Sequence, residues 1–338
     1  MKGMEVPLRF STSILRRLGE ELNPSPDQGI LELVKNSYDA DAVDCTIELI
    51  KTDHPSGAIK ISDNGDGMDA KAIKDGWLVL GQSLKPPGGR TRLGRIRAGS
   101  KGLGRLAALR MGLSATLVSR PRTNPKRQFR LAINWSDYDE AALVEDVILT
   151  IKEESSPPKS HAGTEITLEN LRCGITRMDV KKLARSLILL ADPFGENPKG
   201  FRPVLKAPEF GDIEALVKNR YFKDAEYHLV ARVDKNGKAQ AAVTDWRGEK
   251  LFSANHKDLS ESKEEQYKCP PAEFDLWVFI LNKETFDTRS STLQEVKTWL
   301  QTFGGVHLYQ NGLRVNPYGN PGNDWLEMNL LRAYPNNP

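Results

Sequence analysis

Residues 32–40 read ELVKNSYDA and belong to a longer stretch with helical periodicity. Pro26 stands where a helix would begin. Four apolar side chains recur at the spacing of one helix face: Ile30, Leu33, Val34 and Tyr38. Glu32, Asn36 and Asp39 then fall at i, i+4 and i+7 on a second face. The stretch predicts an amphipathic helix whose acid- and amide-bearing face can line a pocket.

A second segment, Asp63-Asn64-Gly65-Asp66-Gly67-Met68, follows a strand pattern at residues 58–61. Asp63 would stand at the end of this strand. Gly65 and Gly67 permit backbone conformations that bring the main chain close to a ligand. Taken alone, Asn64-Gly65 is equally typical of a plain tight turn. The segment predicts a carboxylate fixed at the edge of a sheet.

A third segment is rich in glycine and reads Gly99-Ser100-Lys101-Gly102-Leu103-Gly104-Arg105, just before a predicted helix. Backbone N–H groups exposed at such a turn form a seat for an anion. A Walker A loop is excluded, because no Lys-Ser/Thr pair follows the last glycine. Residues 81–104 are also rich in proline and arginine and lack apolar periodicity, which predicts a mobile lid.

Together with Gly163-Thr164, these segments keep an order and spacing over about 130 residues that resemble the GHKL ATPases. That superfamily is named after DNA gyrase B, the ninety-kilodalton heat-shock chaperone, histidine kinases and MutL. The resemblance covers residues 10–172 and, more loosely, residues 304–325, and it is strongest to prokaryotic MORC- or MutL-like ATPases. It implies an α+β fold: a Bergerat-type α/β sandwich ATPase domain followed by an α/β transducer domain.

The resemblance also implies ATP and Mg2+ as cofactors and a role for individual residues. Glu32 would be the catalytic base that orients and deprotonates water, and the Asn36 amide oxygen would bind magnesium. Asp63 would accept a hydrogen bond from the adenine amino group, with Thr164 sharing a water beside it and Met68 packing on the base. The further ATP-binding candidates are as follows: Asp39, Gly65, Gly67, Ser83, Lys85, Gly99, Ser100, Lys101, Gly102, Leu103 and Gly104.

Residues 305–315 resemble the transducer strand pair of MORC-type members, and Asn311-Gly312 fits a hairpin turn. In many relatives a lysine from the second domain reaches the γ-phosphate. Here no lysine follows Lys297. Arg314 is the nearest cation and is the candidate second-domain sensor; alternatively, it is simply an exposed strand residue.

A length of 338 residues exceeds what one hydrophobic core usually supports. We expect an ATP-binding domain at residues 1–172 and a transducer-like domain at residues 173–338, cut short in its Asn-, Pro- and Gly-rich C-terminal stretch. The chain has no apolar run near the ~18 residues of a membrane span and no charged-then-apolar start, which predicts a cytoplasmic protein without a membrane contact. Its three cysteines and five histidines are scattered, which argues against a disulfide framework or a zinc site.

The charge is unevenly distributed, although the net charge is only +3. No Asp or Glu occurs between Asp75 and Asp137, and this stretch holds 13 Lys and Arg residues. The remainder is acidic, with 35 basic against 45 acidic residues. The central part of the stretch without acidic residues, residues 85–130, is called the basic segment below. It predicts contact with an anion, either the polyphosphate of a nucleotide or the backbone of DNA, unless it is merely a solvated loop.

The predicted activity is Mg2+-dependent ATP binding and slow hydrolysis, which would drive lid closure and ATP-dependent homodimerisation of the N-terminal domains. We expect a clamp that acts on DNA in genome maintenance or in defence against foreign DNA. A chaperone-like ATPase acting on protein clients is the alternative. A histidine kinase is disfavoured, because no histidine sits in a long helix ahead of the ATP motifs.

Overall fold

The structure of the chain is a computed structural model that divides into two compact units. The first unit comprises residues 1–218 and 305–338, and the second comprises residues 219–304. The structure describes the following residues: 9–15, 17, 25–81, 89–98, 108–109, 111–190, 200–218, 225–260, 266–286, 291–310, 313–315, 318–320, 322–323 and 325–327. Within these ranges no helix is long and apolar enough to cross a membrane.

A seven-stranded mixed sheet forms the centre of the first unit. Its strands are β1 (Asp44–Ile50), β2 (Ala58–Asp63), β3 (Gly112–Arg120), β4 (Arg127–Asn134), β5 (Ile151–Ser155), β6 (Gly163–Leu171) and β7 (Arg202–Lys206). They lie in the order β5-β4-β3-β6-β2-β1-β7. Every neighbouring pair is antiparallel except β1 and β7, which are parallel.

The described helices of this unit are α1 (Pro26–Asp39), α2 (Ala70–Ala72, which leads into a π-helical turn at Ile73–Trp77), α3 (Trp135–Glu140), α4 (Arg177–Leu190) and α5 (Gly211–Lys218). Helix α1 begins at a proline, which is favoured in the first turn because its missing N–H would have no partner there. Helices α1 and α4 pack against each other. Their apolar faces share one core with the sheet.

Alternating side chains explain why the sheet has one buried face. In β1, Cys45, Ile47 and Leu49 are buried, and in β2 the same holds for Ile59 and Ile61, whereas the residues between them are partly exposed. Each fully buried leucine or isoleucine contributes about 1.5–3 kcal/mol of hydrophobic free energy. The result is a two-layer α/β sandwich, which confirms the predicted α+β class.

The first unit extends beyond residue 172, where the sequence predicts a domain boundary. Strand β7 pairs in parallel with β1, with Asp44 opposite Arg202 and Glu48 opposite Lys206. Helix α4 supplies Leu183 to the common core. These contacts join segments distant in sequence, and sequence periodicity does not reveal them.

The second unit contains a four-stranded antiparallel sheet in the order β10-β9-β8-β11. Its elements are β8 (Tyr227–Val233), β9 (Ala239–Asp245), β10 (Lys250–Ala254), α6 (His256–Leu259), β11 (Ala272–Val278), α7 (Lys283–Phe286) and α8 (Leu293–Phe303). Helix α8 starts with a capping box in which Thr292 and Glu295 bond each other's backbone N–H groups. Its Val296, Trp299 and Phe303 are buried.

After the second unit, the chain returns to the first unit as two short antiparallel strands, β12 (Tyr309–Gln310) and β13 (Leu313–Arg314). The hydroxyl of Tyr309 donates a hydrogen bond to the carbonyl oxygen of Leu189 in α4 at 3.1 Å. The predicted turn at residues 311–312 lies outside the described residues.

Candidate functional site

The Asp63 carboxylate, at the end of β2, is the point where three elements meet. Its Oδ1 accepts hydrogen bonds from the backbone N–H groups of Gly65 at 2.8 Å and Thr164 at 3.3 Å. Its Oδ2 accepts a hydrogen bond from the Ser37 hydroxyl of α1 at 2.9 Å. A carboxylate offers about four acceptor positions. Three are used within the described chain, so Oδ2 can accept one more hydrogen bond.

Burial raises the pKa of the Asp63 carboxyl above its ordinary value, although its three hydrogen bonds oppose the shift. A partly buried carboxylate that keeps an acceptor position for a ligand is typical of a recognition site.

A second polar cluster lies beside Asp63. Ser119, at the end of β3, is fully buried, and its hydroxyl is hydrogen-bonded to the Thr164 hydroxyl at 2.9 Å. It also accepts a hydrogen bond from the backbone N–H of Met68 at 2.8 Å. The cluster therefore fixes two predicted site residues, Thr164 and Met68, relative to each other.

The turn after Asp63 depends on glycine because the chain passes close to its neighbours. Gly67 has φ +64°, and a Cβ there would lie 1.9 Å from the carbonyl oxygen of Arg120. Gly163 has φ +142°, and a Cβ there would lie 1.9 Å from the carbonyl oxygen of Asp63. Any larger residue would force the strand ends apart. Gly67 was predicted as a place where the backbone approaches a ligand, and its crowding against Arg120 was not predicted. The sequence singles out Gly163 only as the neighbour of Thr164.

Glu32 and Asn36 lie one turn apart on α1, and both are partly exposed. Oε1 of Glu32 accepts a hydrogen bond from the Lys35 ammonium at 2.7 Å. Neither Oε2 of Glu32 nor the Asn36 carboxamide makes a hydrogen bond within the described part of the chain. Both groups are therefore available for a ligand.

Asp39 is engaged by the chain itself. It ends α1, is only 5% exposed, and its Oδ1 accepts a hydrogen bond from the backbone N–H of Ala98 at 2.7 Å. Asp41 has φ +60°, and its Oδ2 accepts a hydrogen bond from the backbone N–H of Leu93 at 2.9 Å. The described part of the predicted lid, residues 89–98, is thus attached to the C-terminal end of α1.

Arg95 provides a further attachment of this segment. Its Nη1 donates hydrogen bonds to the carbonyl oxygens of Ala42 at 2.6 Å and Tyr38 at 3.2 Å. The guanidinium lies 4.8 Å from the centre of the Tyr38 ring and 5.8 Å from that of Phe201. A cation at these carbonyls stabilises the C-terminal end of α1.

Part of the positive charge of the basic segment is paired with carboxylates within the described part of the chain. Four arginines form ion pairs with acidic residues: Arg92 and Arg122 with Asp66, Arg127 with Glu153, and Arg130 with Glu154. By contrast, Lys126 is exposed and forms no ion pair with a described residue. The surface available to an external anion is smaller than the composition suggests.

Arg314 forms hydrogen bonds within residues 305–338, the C-terminal part of the first unit. Its Nη2 donates to the carbonyl oxygen of Tyr318 at 2.9 Å and to Oδ1 of Asn320 at 2.7 Å. Arg185 of α4 donates to the carbonyl oxygen of Gly319 at 2.7 Å. Both arginines thus form hydrogen bonds to the same turn, residues 318–320. The predicted sensor role of Arg314 stays a prediction.

Eight predicted contacts lie outside the described residues: Ser83, Lys85, Gly99, Ser100, Lys101, Gly102, Leu103 and Gly104. Within the described ranges no group of three or more His, Cys, Asp or Glu side chains could hold a metal ion. Magnesium bound to a nucleotide needs no such group, since phosphates and waters supply most of its ligands. The partly exposed Asn36 carboxamide oxygen fits that requirement.

Two residues of the site, Ser37 and Ser119, were not predicted. Ser37 follows Asn36 in the sequence. Its helical spacing from Leu33 and Val34, on the apolar face of the predicted helix, was the available signal. Ser119 meets Thr164 because β3 and β6 pair with these residues opposite each other. Strand register of this kind cannot be read from one sequence.

Parts of the chain are similar to known proteins. Residues 25–164 match the family model described as "Histidine kinase-, DNA gyrase B-, and HSP90-like ATPase". The chain is 30% identical over 172 residues to the "Putative type II restriction enzyme HgiDII" of Herpetosiphon aurantiacus, an alignment that covers 50% of this chain. The chain spans only 26% of that relative's length.

A solved structure, "Crystal Structure of N terminal domain of a DNA repair protein", aligns with a TM-score of 0.41 and 15% identity, over 68% of this chain and 70% of that one. The matched residues include helix α1, Asp63, Ser119 and Thr164. The likeness to the histidine kinase-, DNA gyrase B- and HSP90-like ATPases covers residues 25–164, which is less than half of this chain.

Proposed function

We propose that the first unit binds ATP with Mg2+ and hydrolyses it slowly. The observation that carries the proposal is the Asp63 carboxylate, which α1, β2 and β6 hold in place with one acceptor position left. That position fits the adenine amino group. Met68 and Thr164, fixed by Ser119, stand beside it as the packing surface and the water-binding hydroxyl.

In this proposal α1 supplies the groups that act on the phosphates. The Asn36 carboxamide oxygen holds magnesium, which neutralises phosphate charge when bound. Glu32, one turn away, binds the attacking water through Oε2 and accepts its proton. Lys35 holds the other oxygen of this carboxylate and so fixes its orientation. A positioned base contributes about 10²- to 10⁴-fold to a rate.

Removal of metal is expected to stop the reaction. Purified protein with ATP and Mg2+ should release inorganic phosphate, and an excess of EDTA should abolish the release, because γ-phosphate charge is then not neutralised. Re-addition of Mg2+ in excess over the chelator is the control and should restore it. Phosphate release that EDTA does not affect would contradict a magnesium-dependent ATPase.

We further propose that ATP acts as a state-selecting ligand: it would close the lid and bring two N-terminal domains together. A ligand shifts such an equilibrium only by its differential affinity for the two states. The relative HgiDII, described as a restriction enzyme, supports a role on DNA. In this proposal the ATP-dependent dimer is a clamp that acts on DNA.

Binding to duplex DNA is expected to weaken as salt rises, with a log–log slope of about −0.9 for each phosphate neutralised. Lys126→Ala should reduce the slope by roughly one contact, because this exposed lysine has no acidic partner among the described residues. The neighbouring Arg127→Ala is the matched control and should change the slope less, since Arg127 is paired with Glu153. Fluorescence anisotropy at several salt concentrations measures both. Absent or salt-independent binding would contradict the DNA role.

A further inference from the structure

We propose that the solvent-facing side of helix α4, together with the neighbouring strand β13, binds the phosphate backbone of duplex DNA. The surface is called the α4 basic face below and consists of Lys181, Lys182 and Arg185 of α4 and Arg314 of β13. The inference rests on the proposed role on DNA and locates a contact surface outside the basic segment.

Helix α4 carries its apolar and its cationic residues on opposite sides. Leu183 and Leu187 are buried in the core of the first unit. Lys181 and Lys182 stand four and three positions before Arg185, so these three cations share the side of the helix that faces away from the core. Lys181 and Lys182 are exposed and form no ion pair with a described residue.

Arg185 and Arg314 come together where α4 packs against β13. Each donates through Nη2 to the turn at residues 318–320. Within the described ranges neither arginine has a carboxylate partner, and Nη1 of neither forms a hydrogen bond. Both side chains are partly exposed. Each guanidinium therefore keeps donors for an acceptor from outside the chain.

Two positive charges held close together in partly buried surroundings are unfavourable. Burial lowers the pKa of both guanidinium groups, and the charge of Arg314 lowers the pKa of Arg185 further. An anion beside both arginines would offset this repulsion. A planar guanidinium suits phosphate, whose oxygens accept paired hydrogen bonds. Exposed lysines alone would be an ordinary solvated helix face, and it is the uncompensated arginine pair that points to an anion.

The arrangement fits a chain of phosphates better than a single phosphate. Lys181 lies about 6 Å along the helix axis from Arg185, so the positive charge extends beyond the arginine pair. Residues 180–190 contain no Asp or Glu. The acidic residue before them, Asp179, is engaged by the backbone N–H and hydroxyl of Thr176. A row of cations of this kind neutralises successive phosphates of a nucleic-acid backbone.

The test measures binding of a duplex oligonucleotide by fluorescence anisotropy at several salt concentrations, without nucleotide. The double variant Lys181→Gln/Lys182→Gln should reduce the magnitude of the log–log salt slope by about 1.8, at about 0.9 for each phosphate no longer neutralised. Arg185→Gln should reduce it by about 0.9, whereas Arg185→Lys should keep the wild-type slope because it keeps the charge. The two lysines are exposed, so the double variant tests the surface even if Arg185→Gln does not fold.

Lys71→Gln/Lys74→Gln is the matched control. It removes the same charge from the first unit, at two exposed lysines that form no ion pair with a described residue, and it should leave the slope unchanged. Calorimetry with ATP and Mg2+ forms a second arm, because a nucleotide is the other source of phosphate. The α4 variants should bind ATP like the wild type.

The outcomes separate this inference from the proposed function. A wild-type protein that binds no DNA would remove the role on DNA, and this inference with it. If the wild type binds DNA but the double α4 variant reduces the slope no more than the control does, the inference alone is overturned and DNA contact is left to the basic segment. Loss of ATP affinity in Arg185→Gln with an unchanged DNA slope would assign the arginine pair to a nucleotide phosphate, which also overturns it.

Discussion

Glu32→Gln is expected to lower the rate of ATP hydrolysis by about 10²- to 10⁴-fold while leaving ATP affinity almost unchanged. The substitution keeps the size of the side chain and its ability to accept a hydrogen bond, but an amide cannot take a proton from water. Glu32 is partly exposed on α1, so the fold should tolerate the change. Turnover is measured by phosphate release and ATP affinity by calorimetry.

Glu153→Gln makes the same chemical change on the exposed strand β5 and should leave turnover at the wild-type level. If Glu32→Gln hydrolyses ATP as fast as the wild type, Glu32 is not the base. A large loss of affinity with unchanged turnover of bound ATP would instead show that Glu32 binds the nucleotide.

Asp63→Asn is expected to weaken ATP binding by about 10- to 100-fold or more, because a charged acceptor contributes roughly 1.5–3 kcal/mol. The geometry adds a second effect. The introduced carboxamide would keep its oxygen toward the N–H groups of Gly65 and Thr164, which places its NH2 where Oδ2 now stands. That NH2 would face the adenine amino group, donor against donor. Calorimetry with ATP measures the loss.

Two controls make this prediction specific. Asp53→Asn, in the exposed turn after β1, should bind ATP like the wild type. Ser37→Ala removes only one of the three hydrogen bonds on Asp63 and should give an intermediate loss. Wild-type affinity in a folded Asp63→Asn protein would exclude Asp63 from adenine recognition.

Local sequence patterns were enough to predict the two elements that carry the site. The apolar spacing from Ile30 to Tyr38 reflects one buried helix face, and α1 buries these residues. The alternation before Asp63 reflects a strand with one buried face, and β2 ends at Asp63. Both patterns depend on neighbours within the same element, so a single sequence contains them.

The parts that the sequence did not predict depend on contacts between distant segments. The register of β3 on β6 brings Ser119 to Thr164, and the parallel pairing of β7 with β1 extends the first unit to residue 218. The hydrogen bond from the Ala98 N–H to Asp39 joins residues 59 positions apart in the sequence. It attaches part of the predicted lid, whose composition predicted mobility, to helix α1. Strand β5 begins at Ile151 because its pairing with Leu131 of β4 determines where it starts.

The measurement that tests the central claim most directly is a crystal structure of the protein with Mg2+ and a nonhydrolysable ATP analogue. The account predicts the adenine amino group within hydrogen-bonding distance of Oδ2 of Asp63, and magnesium on the Asn36 carboxamide oxygen with Glu32 beside the γ-phosphate. An analogue bound elsewhere, or a crystal saturated with it in which the surroundings of Asp63 stay as they are without nucleotide, would contradict the account.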